Sequence, residues 1–339
     1  MKAVGYFNPL PLSDANALQD LELPAPTPRS RDLLVRVRAI SVNPVDVKVR
    51  AGMPPEAGHA KVLGWDAVGV VEAVGAEVKN FRLGDRVFYA GAFDRPGTNA
   101  ELHVVDERIV AHAPRSLDDA QAAALPLTTI TAWEILFDRL RIARAEGQPP
   151  SGETLLVVGG AGGVGSIMIQ LARQLTGLHI VATASRPETR QWCLDLGAHT
   201  VVDHSRPLAA ELAAAGVPQV DYVASLTQTH QHFAQYLECI KPQGALALID
   251  EPATLDAFAL KRKSISLHWE MMFTRSLYGT PDMACQGELL AEVAALADSG
   301  RVRSTLTEKF GAINAANLKR AHALVESGKA MGKVVLQGF

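Results

Sequence analysis

The stretch Thr154-Leu-Leu-Val-Val-Gly-Gly-Ala-Gly-Gly-Val-Gly-Ser166 constrains this chain more than any other. An apolar run of strand character, residues 155–158, breaks into five glycines within seven residues. A helical pattern follows, Ile167-Met-Ile-Gln-Leu-Ala-Arg-Gln-Leu175. Strand, turn and helix in that order predict the first βα unit of a doubly wound parallel sheet. Gly160, Gly162 and Gly165 fit the G-x-G-x-x-G spacing. The first glycine permits the tight turn, the second lets backbone approach a pyrophosphate, and the third lets helix pack close on strand. The backbone of Gly160, Gly162, Gly163, Val164 and Gly165 is therefore the expected cradle. Free N–H groups and the positive end of the helix dipole meet the anion there.

The tip of the next strand discriminates between nicotinamide cofactors. An acid there binds the ribose 2′-hydroxyl of NAD, whereas an Arg admits the 2′-phosphate of NADP. The strand reads His179-Ile-Val-Ala-Thr-Ala184 and ends in Ser185-Arg186-Pro187, with no acid. A hydroxyl and a guanidinium suit a dianionic phosphate, so the expected cofactor is NADPH. Arg190, one helical turn on, is placed to help. A third strand, Thr200-Val-Val-Asp203, delivers His204 to the same edge. His204 either serves the adenine or phosphate, or is an ordinary loop histidine.

Before residue 118 the chain is rich in short strands broken by Gly and Pro. Leu33-Leu-Val-Arg-Val-Arg-Ala-Ile-Ser-Val42 begins with the alternation of a half-buried strand. Beyond it, strands and helices alternate, which builds a parallel sheet. The end, Gly332-Lys-Val-Val-Leu336, reads as a strand rejoining the first part. The expected layout is one β-rich domain, residues 1–127 and 271–339, with a nucleotide-binding domain, residues 128–270, inserted in it. The net charge of −3 offers no basic stripe for nucleic acid or an anionic membrane. No apolar run approaches membrane-spanning length. The N-terminus lacks a signal-peptide pattern, and the three dispersed cysteines fit a reducing compartment. A cytoplasmic protein is expected.

Several further motifs occur in one order: Ser41-Val-Asn-Pro-Val-Asp46, Leu63-Gly-Trp-Asp-Ala-Val-Gly69, Gly84-Asp-Arg-Val87, Ala124-Leu-Pro-Leu-Thr-Thr-Ile-Thr-Ala132 and Gly328-Lys-Ala-Met-Gly-Lys333. Together with the glycine turn, they resemble the medium-chain dehydrogenase/reductase superfamily over essentially the whole chain. The set is most similar to the quinone oxidoreductase branch, in a group often labelled zinc-type alcohol dehydrogenase-like. The resemblance implies a GroES-like β-rich catalytic domain plus an inserted Rossmann domain, with a cleft between them. It implies that the helix carrying Thr128 and Thr131 abuts the nicotinamide and that Lys333 belongs to the cofactor site. It also implies a homodimer formed through an edge of the nucleotide-domain sheet.

Zinc-dependent relatives carry a Cys in the segment matching residues 42–46 and a His-Glu pair where this chain has Trp65-Asp66. No Cys precedes residue 193 here, and an indole cannot ligate zinc. His59, Asp46 and Asp66 make only a paper ligand set. His230-x-His232 is expected to face solvent or cap a helix. No metal is therefore expected.

Without a Lewis acid, quinones and activated alkenes are easier hydride acceptors than plain ketones, because the arriving charge spreads onto a remote carbonyl. Asn43 is the expected hydrogen-bond donor by resemblance, with turn capping as its alternative. Asp46 and Arg50 follow, either beside a small-molecule substrate or as a structural ion pair. Tyr89 is a candidate proton donor. Trp65, Tyr89 and Trp269 are candidate pocket walls, each with core packing as the alternative. The leading function is an NADPH-dependent quinone or enone reductase. The alternatives are an alcohol dehydrogenase-like carbonyl reductase, a non-enzymatic NADPH-binding protein, or a lyase.

Overall fold

Strand β1 (Asp32–Val42) changes character along its length. Buried Val35 and Val37 alternate with exposed Arg36 and Arg38, but Ala39, Ile40, Ser41 and Val42 are all buried. The strand thus dives into the interior and carries a polar residue, Ser41, with it. Pro44 then starts helix α1 (Pro44–Gly52), where its fixed φ and missing N–H are tolerated. Strand β2 (Asp66–Val74) runs antiparallel to β1 with Asp66 opposite Ser41. Strand β3 (Arg86–Ala90) pairs with β2. The register of β1 and β2 is what brings polar side chains together inside an otherwise apolar sheet.

The computed structural model describes residues 1–145 and 151–339. They divide into two compact units, Met1–Ile130 with Phe273–Phe339, and Thr131–Met272. Helix α2 (Pro126–Trp133) carries both Thr128 and Thr131, three apart and so on one helix face.

The second unit is a six-stranded parallel sheet. It starts with the wholly buried β4 (Thr154–Val158), followed by α3 (Gly163–Leu175), β5 (His179–Thr183), α4 (Pro187–Asp195) and β6 (Thr200–Val202). It continues with β7 (Val220–Ser225), α5 (Thr229–Cys239), β8 (Ile240–Leu248) and β9 (Ser266–Trp269). The strand order is β6-β5-β4-β7-β8-β9. The order reverses between β4 and β7, and ligands of such sheets bind at the carboxyl ends of the strands beside that switch.

In the first unit the chain returns through α6 (Ala315–Glu326) to β10 (Lys333–Gln337), which pairs antiparallel with β1. Val334 stands opposite Val42. The seven-stranded sheet thus has β1 flanked by β2 and β10, which places Ser41, Asp66 and Lys333 side by side. Among the described residues no helix is long and apolar enough to cross a membrane.

Candidate functional site

The glycine turn is built by close contacts. Gly159 takes a positive φ of 83°, so the tight turn falls one residue before Gly160. Gly160 is required for another reason: a Cβ there would lie 2.8 Å from the Ala182 Cβ on β5. A Cβ at Gly165 would lie 2.4 Å from the Gly159 carbonyl oxygen. Gly162 is different, since its added Cβ would meet nothing closer than 3.4 Å. It caps α3 without a side chain. The first-turn N–H groups of Gly163, Val164 and Gly165 thus start a helix with an open, cationic end.

At the tip of β5, Ser185 is exposed and Arg186 partly so. The Arg186 Nε lies 3.2 Å from Glu188 on the first turn of α4. Arg190 is turned elsewhere, donating through Nη2 to the Val201 carbonyl at 2.9 Å. His204 lies with Nδ1 3.0 Å from Thr183 Oγ1, and Thr183 Oγ1 accepts the Gly159 N–H at 3.0 Å. Burial lowers the His204 pKa, and the Asp203 carboxylate opposes this. His230 is exposed, but His232 is not solvent-facing: it is buried, its ring centroid 6.3 Å from that of His204. The turn of α5 that exposes one histidine of the His-x-His pair sends the other inward. Sequence reasoning missed Thr183 and gave His232 a surface or capping role, because neither a strand-end Thr nor a His-x-His pair on a helix announces a partner across the sheet edge.

The first unit holds a buried polar cluster. Asp66 Oδ2 accepts from the Ser41 hydroxyl at 2.6 Å, Asn43 Nδ2 at 2.8 Å and Lys333 Nζ at 3.1 Å. Its Oδ1 accepts the Leu127 N–H at 2.7 Å. Lys333 Nζ also donates to the Val42 carbonyl at 3.1 Å and to Asn43 Oδ1. Asp46 Oδ2 accepts the Asn43 N–H at 2.8 Å. Burial pushes the Asp46 carboxyl up to about 7, against the pull of Lys333.

This geometry corrects several expectations. Asn43 is fully buried, and both ends of its amide are spent on Asp66 and Lys333, so it is not a free donor toward substrate. Lys333 is 3% exposed with its three N–H groups engaged, so it does not reach for a cofactor. Arg50 pairs with Glu326 and with the Leu10 carbonyl rather than with Asp46, and is too buried to line a pocket. Tyr89 bonds His103 Nδ1 at 3.0 Å, is inaccessible, and has its phenol pKa raised by burial. It is no proton donor. Trp65 sits in an aromatic core, stacked on Phe93 at 5.7 Å and tilted against Phe273 at 5.5 Å. Trp269, on edge strand β9, is 52% exposed, while its neighbour Glu270 turns inward to Arg139 Nε at 2.7 Å. Thr128 and Thr131 are buried on α2, with the Thr128 hydroxyl on the Leu125 carbonyl at 3.2 Å.

A zinc ion does not fit these residues. Both Asp66 oxygens are occupied by protein donors, one of them an ammonium. His59 is exposed, and among the described residues no group of three His, Cys, Asp or Glu is arranged to hold a metal.

Residues 29–115 match the alcohol dehydrogenase GroES-like domain, and residues 196–336 the zinc-binding dehydrogenase family. A zinc-type alcohol dehydrogenase-like protein of Staphylococcus aureus is 40% identical, over 99% of each chain. A quinone oxidoreductase of Pseudomonas aeruginosa is 31% identical, over 91% of this chain and 92% of the relative. A solved Rhizobium etli structure, provisionally named a zinc-dependent alcohol dehydrogenase, is 57% identical with a TM-score of 0.95, covering 100% of this chain and 98% of that one. A mycobacterial structure complexed with NADPH is 28% identical with a TM-score of 0.83, over 99% of each chain.

Proposed function

Because this chain belongs to the medium-chain dehydrogenase/reductase superfamily, we propose that it is an NADPH-dependent oxidoreductase that reduces quinones or activated double bonds without a metal. The observation that carries the reading is the saturation of Asp66. With Ser41, Asn43, Lys333 and the Leu127 N–H on its carboxylate, no Lewis acid replaces the ammonium there. Plain alkoxide would go uncompensated, whereas a conjugated acceptor disperses the incoming charge.

Bound NADPH would supply the hydride. The chain's part is to hold it. The first turn of α3 meets the pyrophosphate, and the open Gly162 lets backbone approach it. Ser185 and Arg186 take the 2′-phosphate, whose charge draws the guanidinium away from Glu188. Thr128 and Thr131 are the residues that would hold the nicotinamide. With Asn43 and Tyr89 committed internally, the proton that completes the reduction comes from water. The quinone oxidoreductase relative supports the substrate class. We further propose a cytoplasmic homodimer joined through the free edge of β9, where Trp269 is exposed.

Steady-state NADPH consumption by chelator-treated protein, across quinones, enones and simple alcohols with NADP, tests this. Quinones and enones should be fastest. Loss of activity on chelation, or alcohol oxidation as the fastest reaction, sinks the reading.

A further inference from the structure

His204 ends a short chain of hydrogen bonds on the carboxyl edge of the parallel sheet. Its Nδ1 meets Thr183 Oγ1, the atom that also receives the Gly159 N–H. The imidazole is thereby anchored between the glycine turn and the end of β5. With Nδ1 spent on Thr183, Nε2 is the nitrogen left for a ligand.

Behind it stands His232, edge-on with 64° between the ring planes. His232 is 8% exposed, and its Nδ1 has no hydrogen-bond partner among the described residues. A second positive charge there would be desolvated, unpaired and beside a like charge, each of which disfavours it. His204 is less buried and keeps an acceptor on Nδ1 when charged, so it is the member of the pair that takes a proton.

The surrounding charges are few. On the His204 loop, Asp203 favours the imidazolium, and Arg206 is occupied with Asp203 and Glu211. From α5 comes His230, whose charge opposes that of His232. From α4 come Arg186 with Glu188, and Arg190 held on the Val201 carbonyl. With burial holding the ring below the ordinary imidazole range, His204 is neutral near pH 7 in the free protein.

We propose that His204 is a proton-accepting ligand of the cofactor's 2′-phosphate: binding NADPH draws one proton from solvent onto its imidazole, and the edge-on His232 limits the uptake to one. This rests on the reading that the phosphate sits at Ser185 and Arg186. A nearby dianion favours the charged imidazole by about 1 to 3 pKa units. The imidazolium donates Nδ1–H to Thr183 Oγ1, which keeps the Gly159 contact, and Nε2–H to the phosphate. Selectivity for NADPH over NADH then becomes pH-dependent. NADPH affinity falls with rising pH by up to about tenfold per unit while the proton is being lost.

The test is calorimetric titration of the full chain with NADPH and NADH, in buffers of differing ionisation enthalpy, at about pH 7 and pH 8. A phosphomonoester's second ionisation lies near about 6, so the 2′-phosphate is already a dianion there and releases little. We expect uptake of a substantial fraction of one proton with NADPH at about pH 7 and less at about pH 8, none with NADH, and none with NADPH in His204→Gln. NADPH preferred over NADH without proton uptake overturns this inference and leaves the cofactor reading standing. Uptake that survives His204→Gln places the proton elsewhere and overturns it too. More than one proton taken up refutes the limiting role of His232. Equal affinity for the two cofactors defeats the phosphate reading on which the inference rests.

Discussion

Lys333 Nζ lies 3.1 Å from Asp66 Oδ2, with both side chains inaccessible to water, although the residues are 267 apart in sequence. The ammonium meets a carboxylate, an amide oxygen and a backbone carbonyl, so its hydrogen-bonding capacity is filled. By resemblance, Asp66 stands where zinc-dependent relatives carry the second residue of a His-Glu pair. The role of the Lys333–Asp66 pair here is structural.

Removing one partner should therefore be worse than removing both. Lys333→Met leaves a buried carboxylate short of its ammonium partner, a loss of about 3 to 5 kcal/mol. The double variant Lys333→Met/Asp66→Asn should recover part of that. Urea unfolding midpoints measure both, and a single-variant loss below about 1 kcal/mol would show that the pair is not the anchor of the cluster.

Three of the buried groups with shifted ionisation should make stability depend on pH. His103 is pushed down to about 4 and His322 to about 3 by burial, against about 6.5 in an unfolded chain. Their contribution is present above about pH 6.5 and is lost as pH falls toward those folded values, because only the unfolded chain takes the protons. Asp46 acts oppositely: raised to about 7, its contribution is present below about 3.9 and is lost as pH rises through 7. Of these three, the two histidines outweigh the one carboxyl between about pH 4 and 6.5, so together they make stability rise with pH. His322→Leu should flatten that slope by about 1.4 kcal/mol per pH unit. An unchanged slope in denaturation series at several pH values would count against a neutral, buried His322.

Cofactor choice should respond to three residues, and not all in the same direction. Arg186→Ala should weaken NADPH binding by roughly 10- to 150-fold, the worth of about 1.5 to 3 kcal/mol for a charged hydrogen bond, and leave NADH nearly unchanged. Glu188→Gln removes the carboxylate that competes for Arg186 and should tighten NADPH several-fold. Ser185→Asp should invert the preference through like-charge repulsion. Fluorescence titrations with both cofactors decide it, and equal losses for NADPH and NADH in Arg186→Ala would make Arg186 a folding residue instead.

Two glycines of the turn should fail differently. Gly165→Ala would put a Cβ 2.4 Å from one backbone oxygen and 2.6 Å from another, so it should destabilise the unit as well as abolish binding. Gly162→Ala meets only an ordinary contact at 3.4 Å, so the protein should fold and bind cofactor weakly. A thermal midpoint lowered equally by both would contradict this division of labour.

The nucleotide-binding half of the fold was legible because its signal is local. An apolar run, a glycine turn and a helical period lie within one short segment, and backbone sterics at Gly160 and Gly165 act between near neighbours in sequence or on the next strand. The missing acid at the tip of β5 could be read in the same way. Even there, the positive φ fell on Gly159 rather than on the first motif glycine, since the spacing describes residue size and not the dihedral that each residue takes.

The roles of Asn43, Asp46, Arg50, Tyr89, Trp65 and Lys333 were not decided by residue type. A polar side chain beside a motif reads the same whether it faces a ligand or a buried partner. The sequence alone determined that this chain builds a dinucleotide turn and lacks the familiar zinc ligands. Only the tertiary structure decided where its polar groups are spent. The antiparallel registers of β1 with β2 and with β10 bring Ser41, Asn43, Asp66 and Lys333 together from distant segments. Once buried, such groups must satisfy one another because no water remains to do so.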